Sequence, residues 1–557
     1  MKLKYILLGL IAVFVTNCSD VLDKKDLSVL TETDVWNDEE YAEAYLNTLY
    51  NDNLPGWDAE MSGYSDESNG SNGVLYGQLT TNSINYWPYS NIRNINIMLQ
   101  KVDQGSLSDD VKATLKSQAL VLRAWQYFQM VIRYGGVPII KEPQSLNGDL
   151  YVTRNKTSEC IKMIIEDLDE AYKGLPWTWS GDDAGRFTKA TVMALKGRVL
   201  LYYASPQFNP NNDVSRWEEA YEYNNKALED IEANGYGLYD SYKNIWLDEM
   251  NKEVLMVKRY EYPDITNAWE AATRPLEEAQ NYTGANHPTK EMVDSYPMID
   301  GTPIQESADY DSTHYWKNRD PRFDATIAYN GCLWELSAQS GRKQWTYKGY
   351  STIGSTSSGF YCRKAINESY TPYYTERSST DYVEIRYAEV ILNFAECAAE
   401  VGKLDEAYAA LKRIRKRAGI LAGSNNMYGL KEGMSQSEMI DAIMLERKIE
   451  FAFEGKRYWD LRRRRLFAST LNGTRHHGKL PVLKVSPSEF DAVKPNFDIN
   501  RDYNTYFKDS VVVLDEKFAI NFQNTYYFYA IPHTHLEHNS NLKQTQGWDN
   551  GTFDPLQ

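Results

Sequence analysis

Residues 387–419 read YAEVILNFAECAAEVGKLDEAYAALKRIRKRAG. Ala395, Ala398 and Gly402 precede Asp405, Ala407, Leu411 and Ile414, so a helix rich in small residues is followed, after a short turn, by an amphipathic one. Helix, turn and helix over about 34 residues is the unit of a tetratricopeptide-like repeat. Small residues at helical spacing let two such helices approach closely.

The pattern recurs upstream. Residues 189–205 (KATVMALKGRVLLYYAS) carry Ala194, Gly197 and Ala204 and stop at Pro206. Residues 215–234 (SRWEEAYEYNNKALEDIEAN) carry Ala220, Ala227 and Leu228 and stop at Gly235. Further helices are predicted over residues 89–102, 108–134 (ended by Gly135-Gly136-Val137-Pro138) and 158–174. A first capped helix starts at Asp38 and ends near Asn51. The repeats are scattered, which predicts a mostly α scaffold of interrupted tetratricopeptide-like repeats carrying an irregular, loop-rich part with short strands. That part is residues 254–380, dense in Gly, Pro, Tyr and Trp, with strands predicted at 253–260 and 323–329. Residues 53–83 are rich in Gly, Ser and Asn and read as a second long loop.

Residues 1–20, MKLKYILLGLIAVFVTNCSD, place Lys2 and Lys4 before an apolar run over 6–15, and Cys18 follows. That is a secretory signal. Ten apolar residues span about 15 Å as a helix, half a bilayer's hydrocarbon core, so they do not cross it. A Cys directly after such a run fits a lipoprotein box. The expectation is a signal peptide at 1–17, a lipidated tether at 18–37 beginning with Cys18, and a single domain over 38–557. Losing residues 1–17 moves the formal net charge from −17 to −19. That charge argues against a nucleic-acid partner. Without a CxxC pair or an HExxH motif, no metal or cofactor is expected. Cys160 and Cys397 sit in helical apolar patterns, whereas Cys332 and Cys362 flank loops and are free to pair or not.

The 42 tyrosines, with 14 tryptophans and 17 phenylalanines, are the unusual part of the composition. Aromatic faces suit the C–H faces of sugar rings, while hydroxyls go to Asp, Asn and Arg. Residues 445–463, LERKIEFAFEGKRYWDLRR, put Glu446, Glu450 and Glu454 on one helical face. With Arg447, Lys448, Arg457 and Arg462 close in sequence, they predict a buried ion-pair network. The basic run at 462–465 suits a helix C-terminus. No pair of carboxylates stands out at the spacing that glycoside hydrolysis needs.

Six segments together resemble the SusD/RagB family of outer-membrane nutrient-binding lipoproteins of Bacteroidetes-type bacteria. They are LRAWQYFQMVIRYGGVPII (122–140), the 167–171 helix with GRFTKATVMALKGRVLLYYAS, NRDPRF (318–323), RYAEVILNFAECAAEVGKLDEAYAALKRIRKRAGI (386–420), the 445–463 segment, and the tail YYFYAIPHTHLEHNSNLKQTQGWDN. The chain departs from the family at Asn539-Ser540, where Asn-Pro is usual, and at Asn17. The resemblance implies a SusD-like helical scaffold that is not an enzyme. It further implies a lipid-anchored, cell-surface, outer-membrane binder of glycan that serves a SusC-like TonB-dependent transporter. Expected ligand contacts are Tyr64, Asp66, Trp87, Asn91 and Arg93 around the first long loop and the helix start after Pro88. Tyr262, Trp269, Arg274 and Tyr282 are expected on the loop after Arg259, with Trp87 and Trp269 converging on one shallow platform. The alternatives are a repeat-based protein-interaction scaffold, a binder of another nutrient such as peptide, and a lipid-anchored hydrolase.

Overall fold

The computed structural model describes residues 32–557 apart from 71–72, 146, 149, 281–285 and 352–353. The signal segment, Cys18 and Tyr282 lie outside the described residues.

Helix Asp109–Tyr134 forms the spine. Ser108 caps it by accepting the Val111 N–H, and Asp109 and Asp110 complement the dipole in its first turn. It ends where Gly135 takes φ +75°; a Cβ there would also lie 2.7 Å from Pro555. This helix packs against Thr157–Gly174, Lys189–Ala204 against Val214–Ala233, and Tyr387–Glu400 against Leu404–Ala418. Tyr387–Glu400 also packs on Val214–Ala233 and on Gln436–Glu450, which joins the pairs into one helical body. Gly197 explains how close the middle pair comes: an added Cβ would sit 2.5 Å from Asn224 Oδ1, and Asn224 Nδ2 donates to the Gly197 carbonyl.

Strand Val254–Lys258 pairs antiparallel with Tyr382–Arg386, from Val254 opposite Arg386 to Lys258 opposite Tyr382. This ladder brings the two ends of the loop-rich part together, so that part leaves and rejoins the helical body at one place. It has an aromatic core of Phe323, Trp334, Trp345 and Phe360, joined by Trp246 and Phe507 from the flanking chain. A hairpin of His477–Leu483 and Phe507–Val513, which periodicity did not reveal, packs there too.

Three expectations change, and one reading left open, the pairing of Cys332 and Cys362, is settled. Glu32–Asn37 is helical and Trp36 is buried against Tyr45, so the folded body starts inside the stretch read as tether. The strand predicted at 323–329 is mostly the helix Pro321–Thr326, because Asp320 caps it with Pro321 at the first position; only Ile327–Ala328 is strand. Cys332 and Cys362 are buried free thiols.

The third change concerns the acidic face, which is buried as expected but neutralised by other cations. Glu446 pairs with Arg322 and Arg415 at 2.7 and 2.8 Å. Glu450 pairs with Arg322, Arg386 and Arg417, and Glu454 with Arg386 and Lys364. The helix stops at Glu450 and turns through Phe453 and Gly455, both at positive φ. Arg457, Arg462 and Arg463 therefore belong to a separate helix, Arg457–Arg463. Arg447 holds Asp460, Lys448 and Arg457 hold Asp66, and Arg463 holds Glu396.

Candidate functional site

Where the helical body meets the loop-rich part there is a cleft of about 560 Å³. Three stretches wall it. The chain leaving helix Glu39–Asn53 contributes Asp52, Pro55, Gly56, Trp57 and Asp58. The start of helix Tyr89–Lys101 contributes Tyr86, Pro88 and Asn91. The C-terminal half of Asp109–Tyr134 contributes Gln126, Gln129 and Arg133, and Trp459 closes the far side. The floor is Arg198, Glu384, Glu389 and Lys456.

Trp57 is the apolar plate of this cleft. Trp269 stacks on it at 4.4 Å, and the Trp57 indole N–H donates to the Thr380 carbonyl, so the Trp57 ring is fixed while the residue stays half-buried. Asn91 donates to the Asp52 carbonyl at 3.0 Å, tying two walls together. The floor is a closed ion-pair set: Arg198 reaches Glu384 at 2.5 Å and Glu389 at 2.6 Å, and Lys456 reaches Glu384 at 2.7 Å. Burial works to raise the Glu389 pKa, but the Arg198 and Lys456 charges hold it at about 2.

The sequence-predicted residues fall into separate places. Asn91 lines the cleft. Trp87 does not: its ring stacks on His535 at 5.2 Å and meets Tyr89 and Tyr134, while its neighbours Tyr86 and Pro88 face the cleft. Arg93 is exposed and donates to the Gln144 carbonyl, and Tyr64 packs half-buried on Tyr458. Burial corrects three assignments. Trp269 is 2% exposed and backs Trp57, so it offers no face to solvent. Arg274 is fully buried against Glu270 at 2.5 Å. Asp66 is enclosed between Arg457 and Lys448, each at 2.9 Å. The two loops do meet, through the Ser68–Pro288 bridge and the Thr289 N–H donating to the Glu67 carbonyl, but the junction is interior.

Tyr262 belongs to a second surface. It is 45% exposed, with Tyr373 and Tyr374 at 50% and 39%. Tyr374 meets Tyr262 at 5.6 Å and Tyr373 at 5.1 Å, and Arg377 lies over Tyr373. Tyr373 and Tyr374 stand on the turn Pro372–Arg377, which packs on the short helix Trp269–Thr273 behind Trp57. Sequence reasoning passed over Gln129, Arg133 and Trp459, and within the segment before Asn91 it singled out Trp87 rather than Tyr86. The available signal was the polar stripe Gln126, Gln129, Arg133 at helical spacing within an otherwise apolar run.

No group of three His, Cys, Asp or Glu side chains placed to hold a metal occurs among the described residues. No described helix is long and apolar enough to cross a membrane.

Comparison with known proteins adds the family evidence. A model described as "SusD family" matches residues 245–548, and one described as "Starch-binding associating with outer membrane" matches residues 20–201. A SusD-like protein of Formosa agariphila is 26% identical over 452 residues, covering 75% of this chain and 76% of its own. A SusD-like protein of Bacteroides fragilis of known structure superposes with a TM-score of 0.77 at 27% identity, covering 94% of this chain and 100% of its own. A second from the same species, described as a SusD-like carbohydrate binding protein, has a TM-score of 0.73 at 23% identity, covering 91% and 100%.

Proposed function

The chain belongs to the SusD family, and on that premise we propose that it captures glycan at the cell surface in the cleft around Trp57 and passes it to a SusC-like TonB-dependent transporter in the outer membrane. A lipid on Cys18 would hold it there. The observation that carries the reading is the cleft: a fixed aromatic plate, Trp57, stands among Asp58, Asn91 and Gln129. A sugar needs that pairing, with its C–H face on a ring and its hydroxyls on polar groups. The exposed tyrosines Tyr262, Tyr373 and Tyr374 offer a further stacking surface for a longer chain. The match described as starch-binding and the carbohydrate-binding relative support the same ligand class.

The cleft favours binding over hydrolysis. A glycosidase needs one carboxyl with a raised pKa across from a second. Here Glu384 and Glu389 are spent on Arg198 and Lys456, and Glu389 is held at about 2 after its burial is outweighed by those charges.

Calorimetry of the purified chain against a glycan panel tests this. Trp57→Ala and the exposed-site change Asp58→Ala should each weaken binding at least about tenfold, while Asp58→Ala leaves stability within about 0.5 kcal/mol. Trp269→Ala should instead cost about 3–5 kcal/mol of stability, because it empties a buried indole site. Wild-type affinity in both Trp57→Ala and Asp58→Ala would remove the cleft from the function.

A further inference from the structure

Four cations line the cleft, and three are matched: Arg198 by Glu384 and Glu389, Lys456 by Glu384, and Arg447 by Asp460. Arg133 is different. Its Nη1 donates to the Gln129 carbonyl and Oε1, each at 2.8 Å, on its own helix, and it has no carboxylate partner among the described residues. Its guanidinium lies over the Tyr86 ring at 4.4 Å and the Trp459 ring at 4.7 Å. Two aromatic faces thus hold it in place, while Nε and Nη2 have no acceptor among the described residues.

Other buried arginines of this chain lack a carboxylate for a visible reason. Arg154 ties down the Gly136, Tyr134 and Lys543 carbonyls; Arg319 ties down those of Tyr315, Val293 and Tyr296; Arg462 ties down those of Ile132 and Tyr527. Each fixes remote backbone. Arg133 fixes none beyond its own helix, and it stands in the cleft wall with half its fork unused. A planar, held guanidinium whose Nε and Nη2 are both free to donate matches an oxyanion bidentately.

Resting on the glycan reading above, we propose that the cleft takes an acidic saccharide, whose carboxylate or sulfate ester pairs with Arg133 while the sugar face lies on Trp57. Both groups present the same chemistry, two or more oxygens sharing negative charge. The exposed rim residues Asp52 and Asp58 then accept from sugar hydroxyls. The chain's net charge of −17 does not forbid this. At physiological ionic strength the field of exposed charges fades beyond about 8 Å, so the local pair decides.

The test is calorimetry with three oligosaccharide sets matched in length: uronate, sulfated and neutral. Each is run at about 50 and about 300 mM salt. Wild type should bind the uronate or the sulfated set at least about tenfold more tightly than the neutral one, and salt should shrink that margin. Which acidic set wins identifies the group. Arg133→Gln should abolish the margin, and Arg133→Lys should restore part of it, since a point charge replaces the fork. Melting curves on both variants report folding, and the lysine variant keeps the test open if the glutamine one is unstable. Neutral oligosaccharides bound in a Trp57-dependent way, with acidic ones no tighter, would overturn this inference and leave the glycan reading standing. Acidic binding indifferent to Arg133→Gln would also overturn it. Binding of none of the three sets would sink both.

Discussion

Glu67 and Asp66 are adjacent buried carboxyls driven in opposite directions. Burial works to raise both. At Asp66 the Arg457 and Lys448 charges overcome it and hold the carboxyl well below the ordinary range. Glu67 has no such pair. It accepts the Phe453 N–H at 2.9 Å and the Ser65 hydroxyl at 3.2 Å, and burial pushes it up to about 7. An unfolded glutamate titrates near 4.3. Between those values the folded chain binds the extra proton, so the stability Glu67 contributes is present at low pH and is lost as pH rises through about 7. Glu67→Gln keeps the shape and removes the titration. Its melting temperature relative to wild type should therefore climb as pH rises from about 5 to about 8. A difference that stays flat over that range would refute the raised pKa.

At the scale of elements, the Gln436–Glu450 helix is held to the rest by buried charge as well as packing. Arg322 comes from the capped helix Pro321–Thr326 and Arg386 from the strand that closes the loop-rich part. Arg417 comes from the second helix of the last repeat pair, and all three converge on Glu450. Removing Glu450 leaves three buried arginines one carboxylate short: Arg322 keeps Asp320 and Glu446, Arg386 keeps Glu253 and Glu454, and Arg417 keeps Glu253. Glu450→Ala should therefore cost about 3–5 kcal/mol in denaturant unfolding. Glu438→Ala, which breaks the exposed pair with Lys431 and the capping box with Ser435, should cost far less. Glu450 is the informative choice because Glu454 lines the cleft. Glycan affinity of the folded Glu450 variant should be unchanged; a stable variant that cannot bind would move the network from scaffold to site.

At the scale of the whole molecule, anchoring and binding are separable. The described body starts at Glu32, and every cleft residue lies at position 52 or beyond. Cys18→Ala should therefore move the protein from the membrane fraction to the soluble one while its glycan affinity, measured on the released protein, stays at the wild-type value. A variant that still pellets with outer membrane would refute lipidation at Cys18.

Local signals in the chain were enough for the long helices of the repeat pairs, though not for the short helices Glu32–Asn37 and Pro321–Thr326. Ser108, Gly135, Pro206, Gly235 and the small residues Ala194, Gly197 and Ala398 act within a turn or one helix–helix contact, so their meaning does not wait on the rest of the fold. The order of six family-like segments likewise specified the scaffold. The cleft was legible only in part. Asn91 lines it, whereas the Trp87 ring turns to His535 while its neighbours Tyr86 and Pro88 meet the cleft, a choice made by the turn before the helix. Trp269, Arg274 and Asp66 sit on loop-like sequence with no core periodicity, yet they are interior, since a second aromatic core and long-range partners at Trp57, Glu270 and Arg457 enclose them. Which cation neutralises which carboxylate was equally hidden. Charge pairing acts through space, and the turn at Phe453 and Gly455 hands the acidic face to arginines far away in sequence. Burial and pairing are properties of the assembled chain, and only the tertiary structure decides them.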